Sequence, residues 1–269
     1  MGTTTEQSRS RTAAAVLGGA RQLVEPAYLS SLDRIAPPMR MLAGYYAGWW
    51  DETGKPPNRP AGAAIRPALV LAAAKAVGAT DIRQCVNEAV AVELIHDFAL
   101  VHDELVDGDP RRRPGAAAWS ISGRNAALLA GETLLAVAIN ELVDRPSVTV
   151  LAKALAAVCD GQWPYPELEY PGTTEFAEGS PMAEQRTLLS CACEMGAIAG
   201  GAHAAEYRAL AEFGRHLEMA CRLTERAGAA EQEADEEVRA ALACLSEFSA
   251  DESTEDLRLL ADLVTSGSV

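Results

Sequence analysis

Apolar residues recur at spacings of three and four along most of this chain, the pattern of helices that bury one face and expose the other. Period-two alternation is scarce. The pattern predicts two helical segments over residues 13–46, broken near Pro37 and Pro38, and a helix over 68–77. A long apolar helix follows over 81–106, opened by an Asp81 cap and ended by Gly108 and Pro110. Further helices are expected over 124–143, 147–160, 183–200 and 203–227, and two short amphipathic ones over 231–245 and 255–264. Between them lie a turn-rich loop over 49–60, where Trp49 and Trp50 pack, a loop through Pro114 and Gly115, and residues 161–181. That last stretch carries four prolines and three glycines, too many for a continuous helix. The first twelve residues are polar and read as a disordered tail, leaving 13–269 as a single all-α domain.

Composition supports helix over sheet. Of 269 residues, 49% are hydrophobic and only 5% aromatic, with alanine and leucine dominant. A net charge of −15 disfavours nucleic acid and anionic membrane surfaces as partners. No apolar run reaches the roughly 18 residues of a membrane span, and no leader pattern opens the chain. A soluble cytoplasmic protein is expected. The six cysteines lack the spacing of a disulfide framework or a CxxC motif, so they read as small buried hydrophobes.

Residues 93–119, ELIHDFALVHDELVDGDPRRRPGAAAW, concentrate the chemistry. On a helix His96, Asp103 and Asp107 fall on one stripe, at offsets of seven and four. Carboxylates one turn apart repel by roughly 0.2–0.5 kcal/mol on an exposed helix, so a cation is expected between them. They also lie near a helix C-terminus, which favours positive charge. Hard oxygen ligands on a helix suit Mg²⁺ shared with a substrate phosphate. Arg111, Arg112 and Arg113 follow at once and supply the fork geometry that grips phosphate. A carboxylate-held metal beside an arginine clamp is a diphosphate site. His102, His203 and His216 have no such context and read as structural, and residues 231–237 as a solvated helix face.

Four blocks together resemble the polyprenyl (trans-isoprenyl) diphosphate synthase family, over about residues 20–222. AGAAIRPALVLAAAKAVGA (61–79) is similar to its G-K-x-x-R-P-A-L block, and ELIHDFALVHDELVDGDPRRR (93–113) to its first aspartate-rich motif with paired arginines. NAALLAGETLLAVA (125–138) is similar to the helix after that motif, and EFGRHLEMACRL (212–223) to the approach to the second. The resemblance implies an isoprenoid synthase (class I terpenoid synthase) helical bundle. It implies Mg²⁺ held by Asp103, Glu104 and Asp107, with Glu104 where the family has a second aspartate. Asp103, Asp107 and Arg112 then carry the catalytic role. Arg66, His96, Arg112 and Arg113 bind the prenyl diphosphate substrates, the first two and Arg113 on the homoallylic side.

The chain departs from the family in two places. The homoallylic lysine falls at Ala63, and the second carboxylate cluster keeps Glu225 while Arg226 and Arg222 bring positive charge. The K-T pair aligns at Arg186–Thr187 or at Glu184–Gln185, and Gly161–Gln162 matches the family's G-Q pair. Beyond Leu223 the text moves quickly to what resembles the family's C-terminal end, implying a bundle shortened there by an internal deletion. Two functions follow from the resemblance. One is Mg²⁺-dependent ionisation of an allylic prenyl diphosphate, followed by addition of an isopentenyl unit or by cyclisation. The other is an inactive relative partnering a full-length synthase, with a binding protein for isoprenoid diphosphates as a weaker third. Synthases of this family are typically dimers, so a homodimer or such a heterodimer is expected.

Overall fold

Alanine, leucine and straight-chain residues lose little rotamer freedom in helices, and the chain folds accordingly. The computed structural model describes residues 12–51, 53–55, 64–108, 111–112, 115–116, 118–162, 188–225, 231–249 and 251–265. The helices are α1 (Ala13–Leu32), α2 (Pro37–Tyr46), α3 (Ile65–Ala76), α4 (Val86–Asp107), α5 (Ala118–Ser122), α6 (Arg124–Glu141) and α7 (Val148–Gln162). They continue with α8 (Leu188–Ala199), α9 (Ala204–Glu225), α10 (Glu231–Cys244) and α11 (Glu252–Thr265). All-α architecture is as the sequence predicts. Pro37 and Pro38 do not merely break a helix; they occupy the first positions of α2, where a missing N–H costs nothing.

Two local expectations are corrected. Asp81 caps a 3-10 turn, Ile82–Cys85, and α4 starts only at Val86. The loop through Pro114 and Gly115 contains a two-residue antiparallel pair, β1 (Arg111–Arg112) with β2 (Gly115–Ala116), Arg111 opposite Ala116 and Arg112 opposite Gly115. Residues 1–11 and 163–187, with the proposed K-T pair, lie outside the described residues.

The long central helix α4 organises the bundle, touching α1, α3, α6, α7 and α8. Val90, Val92, Leu94, Ile95 and Val101 are fully buried in it. At its start Glu88, 1% exposed, accepts hydrogen bonds from Arg145 Nη1 at 3.1 Å and Ser147 Oγ at 2.9 Å. A buried carboxylate needs such partners, and this one ties α4 to the α6–α7 turn. Two glycines set the packing distance on the other side. A Cβ at Gly196 of α8 would lie 2.1 Å from Val70 O of α3, and one at Gly214 of α9 would lie 2.4 Å from Leu189 O of α8.

At the C-terminal end α11 packs on α3, and Lys75 Nζ lies 3.5 Å from Asp256 Oδ2. Trp50 packs across Gly44 and donates from Nε1 to Met41 O at 2.6 Å, so the tryptophans do pack the first loop. All six cysteines are thiols; Cys85, Cys191 and Cys193 are buried, but Cys159 is exposed, against the expectation of burial. No helix among the described residues is long and apolar enough to cross a membrane.

Candidate active site

α4 carries two chemically different groups of side chains. In its middle, Glu93, His96 and Asp97 interrupt an apolar run. Asp97 is buried and accepts a hydrogen bond from Tyr28 OH of α1 at 2.5 Å. Burial, then the Asp97 carboxylate, push the Tyr28 phenol well above its ordinary value, so it stays a donor. Glu93 sits three residues before His96 and is enclosed, its Oε2 without a hydrogen-bond partner among the described residues. Burial raises its carboxyl, while the guanidinium groups of Arg66 and then Arg21 pull it back. Arg66 itself is half-buried on the first turn of α3, and its Nε also has no hydrogen-bond partner among the described residues.

Tyr28, Glu93 and Asp97 border a cavity of about 40 Å³, room for a water or two. Arg21, Glu25 and Tyr28 of α1 line it with Glu93 and Asp97 of α4 and with Ala64 and Pro67 at the start of α3. Ala64 adopts φ 55°, a left-handed conformation that non-glycine residues seldom take. The chain therefore turns sharply into α3 at the block that holds Arg66.

At its C-terminal end α4 is open to solvent. Asp103 and Asp107 are exposed and Glu104 is half-buried, and the helix closes on Gly108 at φ 67°. Arg124, from the first turn of α6, donates to Leu105 O at 2.6 Å and lies 5.6 Å from the Trp119 ring centroid. An arginine satisfying a last-turn carbonyl answers the helix dipole, though the carboxylates still crowd the same end. The two-residue hairpin of Arg111 and Arg112 follows α4 directly in the chain.

The predicted stripe is thus split by environment: His96 is half-buried, Asp103 and Asp107 exposed. Glu104 lies about 100° around the helix from Asp103. Among the described residues no three His, Cys, Asp or Glu side chains converge to hold a metal ion. Two hard carboxylates one turn apart still suit Mg²⁺ that keeps most of its ligands from water and phosphate. Glu225 ends α9, its side chain outside those described, as are Arg113 and the side chain of Arg112.

His102 and His216 have partners within the protein. His102 Nδ1 is 3.0 Å from Phe98 O, and His216 Nδ1 is 2.6 Å from Glu237 Oε2. The 231–237 face is mostly solvated, but Glu237 is taken up by that pair. Sequence reasoning missed Glu93, Asp97, Tyr28 and Arg21. The signal for the first two was available, since carboxylates inside an otherwise apolar helix are expensive unless partnered.

A profile described as polyprenyl synthetase matches residues 50–224. A (2E,6E)-farnesyl diphosphate synthase of Mycobacterium bovis is 38% identical over 218 residues, 78% of this chain and 60% of that protein. A geranylgeranyl diphosphate synthase of Mycobacterium tuberculosis is 32% identical over 219 residues, 77% of this chain and 61% of its own length. The chain therefore spans about 60% of the length of these curated relatives. The crystal structure of a polyprenyl synthetase from Streptomyces coelicolor A3(2) superposes with a TM-score of 0.78 at 27% identity, covering 94% of this chain and 99% of that one. Matching motifs, a matching bundle and this identity agree: the chain belongs to the polyprenyl synthetase family.

Proposed function

We propose that the chain is a prenyltransferase of isoprenoid biosynthesis that joins an allylic prenyl diphosphate to isopentenyl diphosphate. The observation that carries this reading is the pair Asp103 and Asp107, exposed one turn apart at the negative end of α4. That arrangement sets two like charges one turn apart at the negative pole of the helix dipole, where a cation is favoured.

Asp103 and Asp107, with Glu104 beside them and Glu225 from α9, would hold Mg²⁺, which supplies charge stabilisation for a departing diphosphate. Arg112 grips that leaving group through its fork of donors as the allylic C–O bond breaks. Arg66, His96 and Arg113 bind the diphosphate of the isopentenyl partner, whose double bond attacks the allylic carbon. The new C–C bond forms, a proton is lost, and pyrophosphate leaves.

The protein acts as a homodimer in this reading. Leu128, Leu129 and Ile139 are exposed along α6, with Val143 just beyond it at 58% exposure. A two-fold pairing of this helix with its copy would cover the apolar face of both.

The test is incubation with Mg²⁺ and allylic diphosphates of increasing length, with and without isopentenyl diphosphate, followed by mass spectrometry. A longer diphosphate formed only when both substrates and Mg²⁺ are present is expected. Hydrocarbons or alcohols formed without isopentenyl diphosphate would make it a cyclase, and no turnover under any condition would leave the inactive-partner reading.

A further inference from the structure

α6 packs along the end of α4 that carries Asp103 and Asp107. A Cβ at Gly131 of α6 would lie 2.6 Å from His102 Cε1 and 3.1 Å from Val101 Cγ1, so this close approach depends on glycine. His102 directly precedes Asp103 in the chain. Nearer the tip of α4, Arg124 opens α6 and donates from Nη2 to Leu105 O at 2.6 Å. Leu105 stands midway between Asp103 and Asp107 in the chain. Its carbonyl is among the last four of α4, which lie beyond the reach of the helix's own N–H donors. The Gly108 N–H takes the one before it, Glu104 O, at 3.2 Å.

Arg124 is out of place by the rules of its own helix. A cation in the first turn meets the positive pole of α6, and no acidic residue stands in that turn to offset it. Its charge is turned instead to the negative pole of α4, with the guanidinium 5.6 Å from the Trp119 ring centroid on α5. A local cost of this kind, answered on a neighbouring helix, points to a role between the two. We propose that Arg124 is a positioning residue for the metal site. By holding Leu105 O it fixes the last turn of α4, so that Asp103 and Asp107 present their carboxylates to Mg²⁺ from one rigid face. This rests on the reading of that pair as Mg²⁺ ligands.

Removing Arg124 has two opposing effects. Loss of a nearby positive charge, by itself, tightens cation binding at the pair. Loss of the hold on Leu105 O lets the last turn fray and weakens that binding. The sign of the change therefore separates positioning from charge.

The experiment is titration of the full chain with Mn²⁺, another cation that takes oxygen ligands, followed by loss of the free ion's EPR signal. Wild type is compared with Arg124→Ala, Arg124→Lys and the double variant Asp103→Asn with Asp107→Asn, and thermal melts check that each is folded. The double variant marks which binding belongs to the pair. Arg124→Ala should bind Mn²⁺ about 10-fold more weakly, the scale of losing an outer partner of a metal ligand. Arg124→Lys keeps the charge without the planar stack on Trp119 and recovers part of the loss. It carries the test should the alanine variant not fold. Amide hydrogen exchange of the metal-free protein gives a second readout. Residues 104–108 should exchange faster in Arg124→Ala, with residues 86–100 of the same helix unchanged.

Unchanged or tighter Mn²⁺ binding by Arg124→Ala overturns the proposal while leaving the metal pair intact. So does unchanged exchange over residues 104–108. If wild type and the Asp103→Asn, Asp107→Asn variant bind Mn²⁺ alike, the pair is not a metal site. The metal reading then falls, and the role of Arg124 falls with it.

Discussion

The middle and the C-terminal end of α4 carry similar side chains in opposite surroundings. Half-buried Glu93 and buried Asp97 lie one turn apart, and Asp103 and Asp107 lie one turn apart in solvent. Inside, each carboxylate is answered by the protein itself: Tyr28 donates to Asp97, and Arg66 and Arg21 offset Glu93. At the exposed end Arg124 donates to a backbone carbonyl, and Asp103 and Asp107 stay open to solvent. Interior carboxylates need built-in partners because the low dielectric leaves them no water. The exposed pair is open to solvent, where a hydrated cation can reach it.

The most severe break of this comparison is at the exposed pair. Asp103→Asn combined with Asp107→Asn should lower turnover by on the order of 10²–10³-fold, the usual scale for losing charge stabilisation of a leaving group. Folding should be unaffected, and steady-state rates with thermal melts read both. A melt lowered along with the rate would mean that the exposed pair is structural, like the interior one.

Next in size, Leu128→Asp with Ile139→Asp should convert a dimer to a monomer, by placing charges in an apolar contact. Sedimentation equilibrium measures it, and unchanged mass would remove α6 as the interface. Gly196→Ala should lower stability by about 1–3 kcal/mol, through overpacking against Val70 O. That corresponds to a melt lower by several degrees for a chain of this size. The shift acts through α3 and α8, so it should weaken the Arg66 corner before it affects the Asp103 end. Equal loss of affinity for both substrates would contradict that division.

The smallest effect concerns Glu93. Its folded carboxyl sits above the ordinary 4.5, chiefly through burial, so the folded chain keeps a proton that the unfolded chain releases. Stability from this group is therefore complete below about pH 4.5 and is lost as pH rises through the folded value. Glu93→Gln should remove that loss, leaving a melt less sensitive to pH than wild type. Parallel curves for variant and wild type would show that Glu93 ionises as if exposed, and the contrast along α4 would lose its basis.

Much of this was legible in the residues. Spacings of three and four gave helices over 124–143 and 203–227, close to the observed Arg124–Glu141 and Ala204–Glu225. Pro37 and Pro38 marked the start of α2 because a fixed φ and a missing N–H act locally. The group at residues 93–113 was found because helical periodicity places charges one turn apart on one face, wherever the helix later packs. Asp81 was misread for an equally local reason. A cap signal states that a turn begins, without distinguishing a 3-10 turn from a full helix.

What the sequence alone determined, then, is the class of fold and the spacing of charged residues along α4, since both rest on interactions between neighbours in the chain. Only the tertiary structure decided which of those carboxylates are buried. It also brought Arg21 and Tyr28 of α1 to Glu93 and Asp97, some 70 residues away. Periodicity gives the face on which a side chain lies. Burial, and the partners a buried charge requires, depend on which helix comes to cover that face, and distant segments settle that only when they pack.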